Sequence, residues 1–390
     1  MPLPRINITL SNGGLGRVIP VDDATAGLLL SGTAVTDKIQ LSDPRQIFSL
    51  QDMTDLGITA LTNPLAHKEI TAFYAQFGEG AELWIMLVSD ATTMADMCDK
   101  TNTIITKLLD AADGMIRILG VNRIPAIGYI PVITDGLDAD VMEAVMNLDA
   151  TRKEYLAKFM PFRAVIGCLG FAKAYVSTLH NFRQNANPGV GPVLGSDDGL
   201  TPAVGMVLGR LASIPVQRNI GRVKSGDVGL LNAFFPDGTT VKELKNAADS
   251  IHDKGYIFFR KFVRRSGFYF NDDMTAAPNS DDYSSLSRGR VIDKAIVIAN
   301  DTYTEELLDD VDVNETTGYL PPSLTAHFQG VIENAIKINM AGEISGVRVY
   351  FDPKQNLLST DKVAVRLRII PKGQIKAIDV DLGFYNPLTA

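Results

Sequence analysis

The sequence contains 390 residues, of which 46% are hydrophobic and 21% are charged, and its formal net charge is −8. This composition is typical of a globular protein and excludes disordered, collagen-like and disulfide-framework chains. The acidic balance argues against a nucleic-acid partner, because phosphate contacts need a basic face.

The sequence patterns that would indicate a cofactor, a metal or a membrane are missing. Cys98 and Cys168 are the only cysteines and lie far apart, without the spacing of a zinc site. No stretch reaches the ~18 apolar residues of a membrane span, and the N-terminus lacks a signal-peptide pattern. We therefore expect no cofactor, no structural metal, no membrane binding by this chain, and synthesis in a cytoplasm.

The chain begins with a predicted strand. Residues 5–10 alternate polar and apolar, so that Ile6, Ile8 and Leu10 share one face. The glycine-rich turn SNGGLG follows. It leads into an extended segment and not into a helix, so a hairpin turn or hinge is favoured over a phosphate-binding loop.

Strands and helices then alternate as far as residue 213. The predicted elements are an apolar segment at 24–30, a helix starting at Ser42 or Asp43, a helix at 63–77, a strand at 82–88, a helix at 94–112, strands at 115–119 and 127–133, a helix at 137–158, a strand at 163–169, a loop at 185–199 and a helix at 201–213. This rhythm predicts a mixed α/β (α+β) fold with a layered α/β core and an insertion or second domain.

The last third contains the most regular patterns. Thr240 and Glu243 form a capping-box sequence, and Gly255 is placed where that helix would end. Two further helices are predicted near 281–308 and 322–341, and strands are predicted at 346–351, 362–370 and 374–384. We divide the chain into an N-terminal strand arm (1–20), a variable α/β domain (21–225), a C-terminal core domain (226–371) and a C-terminal strand arm (372–390).

The final predicted strand has strict period-2 alternation. Its apolar face contains Ile378, Val380, Leu382 and Phe384, whereas Asp379 and Asp381 lie on the other face. An isolated strand leaves N–H and C=O groups unpaired, so each terminal strand must join a sheet. The alternation alone does not decide between a sheet of its own subunit and one of a neighbour.

A basic cluster lies between two short aromatic strands. Its members are Arg260, Lys261, Arg264 and Arg265, and Arg288 and Arg290 follow on the next helix. Basic residues interleaved with aromatic rings could bind nucleic acid. Alternation along strands instead predicts buried rings, which favours lateral contact with an acidic surface of a protein partner.

Paired carboxylates leave a catalytic alternative open. They are Asp197–Asp198, Asp272–Asp273, Asp281–Asp282 and Asp309–Asp310. Most stand in turns or at helix starts, where aspartate bonds free N–H groups. The alternative function is an α/β enzyme that uses a carboxylate and divalent-metal site on a phosphate or sugar substrate, which rests on fold-level analogy.

Residues 256–295 resemble a known family. Tyr256 to Phe262, the turn Ser266-Gly267, the Asn-Asp-x-x-Thr turn at 271–275, and Arg-x-Arg-Val-Ile-Asp-Lys at 288–294 are similar to the signature region of contractile tail sheath proteins. That family occurs in myophage (bacteriophage) tails, R-type bacteriocins and related contractile injection systems. The resemblance extends over roughly residues 232–384.

The resemblance implies a structural subunit and not an enzyme. Such subunits stack as rings into a helical homo-oligomer around an inner tail tube protein, exchange terminal strands with neighbours, and contract to drive the tube through a target envelope. Baseplate and tail-terminator proteins are the other implied partners. The protein would be synthesised in the bacterial cytoplasm and act in a virion tail or injection-device sheath. We expect the tube to be contacted by the exposed side of helix 322–341, at Glu333 and Lys337.

Overall fold

The computed structural model describes residues 23–385. In chain order its strands are β1 (Ala26–Gly32), β2 (Arg45–Ile47), β3 (Leu83–Ser89), β4 (Ile118–Asn122), β5 (Ile133–Thr134), β6 (Leu137–Asp138), β7 (Arg163–Gly167), β8 (Val190–Val193), β9 (Phe259–Arg260), β10 (Tyr269–Phe270), β11 (Ile344–Phe351) and β12 (Val365–Pro371). Six of them form one sheet in the order β2-β3-β1-β4-β7-β8. All neighbours in it are parallel except β2, which is antiparallel to β3.

The helices connect these strands. They are α1 (Leu50–Asp55), α2 (Pro64–Phe77), α3 (Met94–Cys98), α4 (Ile104–Ala111), α5 (Ala139–Ala157), α6 (Val204–Ala212), α7 (Ala248–Asp253), α8 (Leu286–Thr304), α9 (Pro322–Asn339) and α10 (Leu357–Thr360). α2 packs on α6, and α3 packs on α4 and α5. No helix between residues 23 and 385 is long and apolar enough to cross a membrane.

The predicted layered α/β core is confirmed. β1 pairs with β3 on one side and β4 on the other, and Leu28, Leu29 and Leu30 are completely buried. A parallel strand covered on both faces is apolar at successive positions, which is the pattern of residues 24–30.

Two helix predictions fail for local reasons. No helix starts at Ser42 or Asp43; Arg45–Ile47 is an edge strand, and the Ser49 hydroxyl caps α1 by accepting from the Asp52 N–H at 3.2 Å. The helix predicted at 94–112 is interrupted at Asp99, whose carboxylate accepts from the Thr101 N–H at 2.8 Å. A side chain that bonds its own backbone competes with continued helix.

One strand and one loop were also predicted wrongly. Residues 127–132 form an exposed loop, so only the last position of the strand predicted at 127–133 pairs, in β5. The loop predicted at 185–199 contains β8, the edge strand of the sheet. Gly191 fits there because a Cβ would lie 3.1 Å from side-chain atoms of Ile257 and Leu286. Pro192 is tolerated because β8 is an edge strand.

The close packing of α2 on α6 depends on two glycines. A Cβ at Gly205 would collide with the backbone carbonyl of Glu69, and one at Gly209 with that of Phe73. Helix backbones approach this closely only where small residues line the contact. Residues 205 and 209 therefore fix the layer that covers β1 and β4.

A second, smaller core lies in the C-terminal part. It contains Val291, Ala295 and Ile298 of α8, Ile332 and Ile336 of α9, and Val347 of β11. The larger core extends from Ala26 to Leu286 and so crosses residues 225 and 226. The predicted domain boundary at that point stays a prediction.

The capping box at Thr240 forms without the long helix expected after it. The Thr240 N–H donates to the Glu243 carboxylate, and the Glu243 N–H to the Thr240 hydroxyl, both at 3.3 Å. Residues 241–247 are nevertheless a series of turns, and regular helix is limited to α7.

Candidate assembly site: the C-terminal arm, its anchor and the C-terminal hairpin

The last described residues, 377–385, form an exposed extended segment, which we call the C-terminal arm. Ile378, Val380, Leu382 and Phe384 are between 77% and 111% exposed. None of the residues from 377 to 385 makes a hydrogen bond or ion pair with the rest of the described chain, and none is in a strand. The strand predicted at 374–384 is thus not formed within this subunit. The N-terminal strand residues Ile6, Ile8 and Leu10 lie outside the described residues.

The base of the C-terminal arm is held by the core. Lys376 donates to the Asp272 carboxylate at 2.6 Å, and the Gln374 amide donates to the Ser287 hydroxyl at 2.9 Å and to the Gln217 carbonyl at 3.2 Å. We call these contacts the arm anchor. They fix the point at which the arm leaves the subunit.

The anchor rests on a buried carboxylate pair. The Asn219 amide donates to Asp272 at 2.5 Å and to Asp273 at 2.7 Å, and Asp273 also accepts from the Ser287 N–H at 2.9 Å. Burial and the adjacent charge of Asp272 raise the pKa of Asp273 to about 7. Burial opposes ionisation of Asp272 as well, but the charge of Lys376 holds the pKa of Asp272 below its usual value.

The start of the described chain is held by the same helix. The Arg290 guanidinium donates to the Asp23 carbonyl at 3.2 Å, and Lys294 contacts the Asp23 carboxylate at 2.5 Å and Glu343 at 2.8 Å. Arg290 lies three residues after Ser287, about 4.5 Å further along the α8 axis. The first described residue and the base of the C-terminal arm are therefore held at neighbouring points on α8.

α8 is itself fixed to the sheet by an ion pair. Arg163 of β7 donates to both carboxylate oxygens of Asp293, at 2.6 and 2.7 Å, and both side chains are buried. The motif Arg-x-Arg-Val-Ile-Asp-Lys thus has a structural role at three positions. Arg290, Asp293 and Lys294 connect α8 to the N-terminal segment, to the sheet and to the residue before β11.

β11 and β12 form a two-stranded antiparallel sheet, which we call the C-terminal hairpin. Its inner face contacts α9 and α8, and its outer face is exposed at Arg348, Tyr350, Arg366 and Arg368. In the described chain no third strand pairs with it. Each strand therefore has one edge whose backbone groups could accept another strand.

The basic cluster is only partly at the surface. Arg260, Lys261, Arg264, Arg265 and Arg288 are exposed. Arg290 is buried and donates to the Leu211 carbonyl at 2.7 Å, so the predicted lateral contact is wrong for this residue. Arg290 lies in the interior because helical periodicity turns its side chain toward α6.

The aromatic residues beside this cluster are mostly buried, as expected, but at successive positions and not in the alternation from which their burial was predicted. Tyr256, Phe258, Phe259 and Phe270 are at most 2% exposed. Phe262 and Phe268 are half-buried, and Arg260 and Lys261 stack over them at 4.3 and 5.6 Å from the ring centroids. These rings are therefore not a free stacking platform.

The predicted tube contact lies on α9 as an ion pair. Lys337 contacts Glu333 at 2.5 Å, with the Lys337 side chain 58% exposed. On this helix Ile332 and Ile336 are buried, whereas Ile338 is exposed. The role of Glu333 and Lys337 stays a prediction.

The carboxylate pairs have local structural uses. Asp272 belongs to the arm anchor and Asp273 lies beside it, and Asp197 and Asp198 contact Lys68 at 2.9 and 3.0 Å. Among residues 23–385 no group of three potential metal-ligating side chains is close enough to hold an ion.

The arm anchor and the arginines of the hairpin were missed by sequence reasoning. Lys376 and Asp272 are 104 residues apart in sequence, and no local pattern pairs them. Arg366 and Arg368 did carry a signal, since they alternate with Val365, Leu367 and Ile369 as exposed positions on a half-buried strand do.

Two family profiles match the sequence. The N-terminal domain of DUF2586 matches residues 3–274, and the C-terminal domain of DUF2586 matches residues 282–389. The chain belongs to the DUF2586 family. No curated protein matches the sequence.

Solved sheath structures share the fold of this DUF2586 protein. A chain of the anti-feeding prophage helical sheath in its contracted state has a TM-score of 0.62 at 12% identity, with 99% of each chain covered. A chain of the contracted PVC sheath complex, from an extracellular contractile injection system, has a TM-score of 0.60 at 14% identity, with 98% of each covered.

A chain from the six-fold symmetrised baseplate of the anti-feeding prophage is also similar. Its TM-score is 0.61 at 13% identity, over 99% of this chain and 100% of that one. The predicted resemblance to contractile tail sheath proteins is confirmed at the level of the fold. It covers nearly the whole chain and not only residues 232–384.

Proposed function

We propose that this protein is the structural subunit of a contractile sheath. It would polymerise as stacked rings around an inner tube and shorten to drive that tube through a target envelope. The observation that carries the proposal is the C-terminal arm: in a chain with the sheath fold, a segment of strand-like alternation has its apolar side chains in solvent and a base fixed to the core. Such a segment needs a sheet outside its own subunit.

The C-terminal hairpin supplies a suitable acceptor sheet. Its two strands are seven and eight residues long, and its inner face already rests on α8 and α9. Strand addition to its edges would connect subunits through main-chain hydrogen bonds, which bind well without depending on a rigid orientation of the two subunits. The subunits could then rotate outward while the connection is retained.

The anchored bases give this connection mechanical continuity. A load applied to either terminal segment passes through Asp23 or Gln374 to α8, and from Asp293 to Arg163 in the sheet. Contraction also requires an extended state that is only metastable, so that new contacts between subunits make shortening favourable.

The partners of such a subunit are other copies of itself, an inner tube protein, and baseplate and tail-terminator proteins. Arg260, Lys261, Arg264, Arg265 and Arg288 would contact acidic lateral surfaces, and Glu333 with Lys337 would contact the tube. Exposed ion pairs bind weakly, which suits a tube contact that must break on contraction. The particle would be a bacteriophage tail or a related injection device assembled in a bacterial cytoplasm.

Electron microscopy of the purified protein tests the proposal. We expect the full chain to form a helical polymer, and a chain ending after Lys376 to stay monomeric with an unchanged melting temperature, because it keeps the arm anchor. Val380→Pro is a second variant, since proline removes a ladder donor without shortening the chain. A full-length protein that remains monomeric over a wide range of concentration and salt would contradict the proposal.

A further inference from the structure

The outer face of the C-terminal hairpin is basic. Arg366 and Arg368 of β12 and Arg348 of β11 are all exposed there. No described residue forms an ion pair with any of the three. Arg366 lies over the Tyr350 ring at 5.8 Å, and Arg368 donates to the Leu367 carbonyl at 3.2 Å. The hairpin therefore presents unneutralised positive charge beside an edge that could accept a strand.

Two of these arginines face each other across the strands. Arg348 is the cross-strand partner of Arg368, and Tyr350 is that of Arg366. Like charges directly opposite each other destabilise a sheet. A neighbouring carboxylate on the same face would remove this cost, so the arrangement calls for an acidic group from outside the described subunit.

The inner face of the hairpin sets a second requirement for the side chains of an added strand. Val347 and Phe351 are buried against the helices, and Leu367 and Ile369 are half-buried beside them. A strand added to the edge would extend both faces, because side chains alternate with period two. It must therefore present apolar residues inward and acidic residues outward at alternate positions.

The C-terminal arm has this pattern. Ile378, Val380 and Leu382 alternate with Asp379 and Asp381. The two aspartates are two residues apart, as are Arg366 and Arg368. A one-residue slip would turn the aspartates toward the apolar face, so the alternation determines which face the aspartates occupy.

An open depression follows the hairpin at β12. Its volume is about 560 Å³, and its lining includes the continuous run 364–368 together with Tyr350, Asp352 and Gln355. The run includes Arg366 and Arg368. β12 is therefore the better candidate of the two edges, because β11 contributes only Arg348 to the basic face.

Within the strand addition of the proposed function, we propose that Asp379 and Asp381 on the C-terminal arm of a second copy of this chain lie beside Arg366 and Arg368 of β12. This inference rests on the proposed function and specifies the charges that set the register and identity of the added strand. The arm of the same subunit is not the occupant, because residues 372–376 are committed to the arm anchor at Asp272 and Ser287 instead of a tight turn back along β12.

Charge reversal tests the pairing. One chain carries Arg366→Glu with Arg368→Glu, and the other carries Asp379→Lys with Asp381→Lys. Each chain alone places like charges at every contact, so we expect at least a tenfold loss of polymer measured by sedimentation and electron microscopy. Mixed in equal amounts, the two chains can alternate with complementary charges at each contact, and we expect polymer to return.

Controls separate this inference from the proposed function. Lys242→Glu with Lys245→Glu changes the net charge by the same amount as Arg366→Glu with Arg368→Glu, at exposed positions, and is expected to polymerise normally. If wild-type protein forms no polymer, the proposed function fails. If wild type polymerises but the reversed chains do so equally well, or their mixture does no better than each alone, the pairing of aspartates with arginines is overturned. A loss of polymer by the Asp379→Lys, Asp381→Lys chain would not result from misfolding, since its altered positions make no hydrogen bond or ion pair in the described subunit.

Discussion

Lys376 lies 2.6 Å from the carboxylate of Asp272, and this contact joins the base of the C-terminal arm to the loop after β10. The lysine side chain is half-exposed, whereas that of Asp272 is 7% exposed. The contact therefore compensates the buried charge of Asp272. It also determines where the arm leaves the subunit.

Replacing Lys376 with Met should weaken both the compensation of the Asp272 charge and the attachment of the C-terminal arm. The Asp272 carboxylate loses its only described ion-pair partner, and leaving a buried acceptor incompletely satisfied costs about 1–3 kcal/mol. We expect a lower free energy of unfolding by denaturant and a lower polymer yield. Lys372→Met is the matched control, because Lys372 is exposed and has no described partner. An equal effect of both substitutions would contradict the anchor.

The carboxylate pair beneath this contact should make stability depend on pH. The pKa of Asp273 is raised to about 7 from about 4 in the unfolded chain. Between these values the folded protein retains a proton that the unfolded chain has lost, so the contribution of Asp273 to stability is full below about pH 4 and is lost as the pH rises to 7. Asp273→Asn should remove this decline.

The measurement is the free energy of unfolding of wild type and Asp273→Asn at pH 5, 6, 7 and 8. The difference between them should change in favour of the variant as the pH rises. Asp282→Asn, at an exposed position, is the control and should give a curve parallel to wild type. Parallel curves for Asp273→Asn as well would show that Asp273 carries no raised pKa.

Strand and helix types were predictable where burial is uniform. β1, β3 and β7 each contain a run of successive apolar residues, because both faces of a parallel strand are covered. β8 was missed because Gly191 and Pro192 resemble a loop, although the glycine is needed for close packing and the proline is allowed at an edge. These reasons depend on neighbours that are distant in sequence.

The candidate site was predictable only where it depends on residues that are neighbours in the sequence. Alternation over 378–384 predicts a strand and its two faces, since it depends only on neighbouring residues. The anchor needs Asn219, Asp272 and Ser287 to meet Gln374 and Lys376, which only the tertiary fold achieves. Arg288 and Arg290 show the limit of reading charge from sequence: they are two residues apart, and one is exposed while the other is buried.

Gly209 in α6 and Gly330 in α9 should respond in opposite ways to replacement by alanine. Gly209→Ala places a Cβ against the Phe73 backbone, and overpacking of this kind costs about 1–3 kcal/mol. Gly330→Ala in α9 meets nothing within 4 Å and should stabilise the protein by about 0.5–1 kcal/mol, because alanine favours helix. Thermal unfolding of the two variants compares them; destabilisation by both would contradict the packing argument.

The ion pair between Arg163 and Asp293 offers the strongest test of how α8 is held. Both side chains are nearly completely buried, so Arg163→Met leaves a buried aspartate uncompensated and should cost about 3–5 kcal/mol. Adding Asp293→Leu removes that charge and should recover much of the loss. Denaturant unfolding of the single and double variants measures the coupling between them. If the double variant is no more stable than Arg163→Met, the loss comes from the packing of Arg163 against Gly289 of α8 and not from the charge, and α8 would be fixed to the sheet by shape.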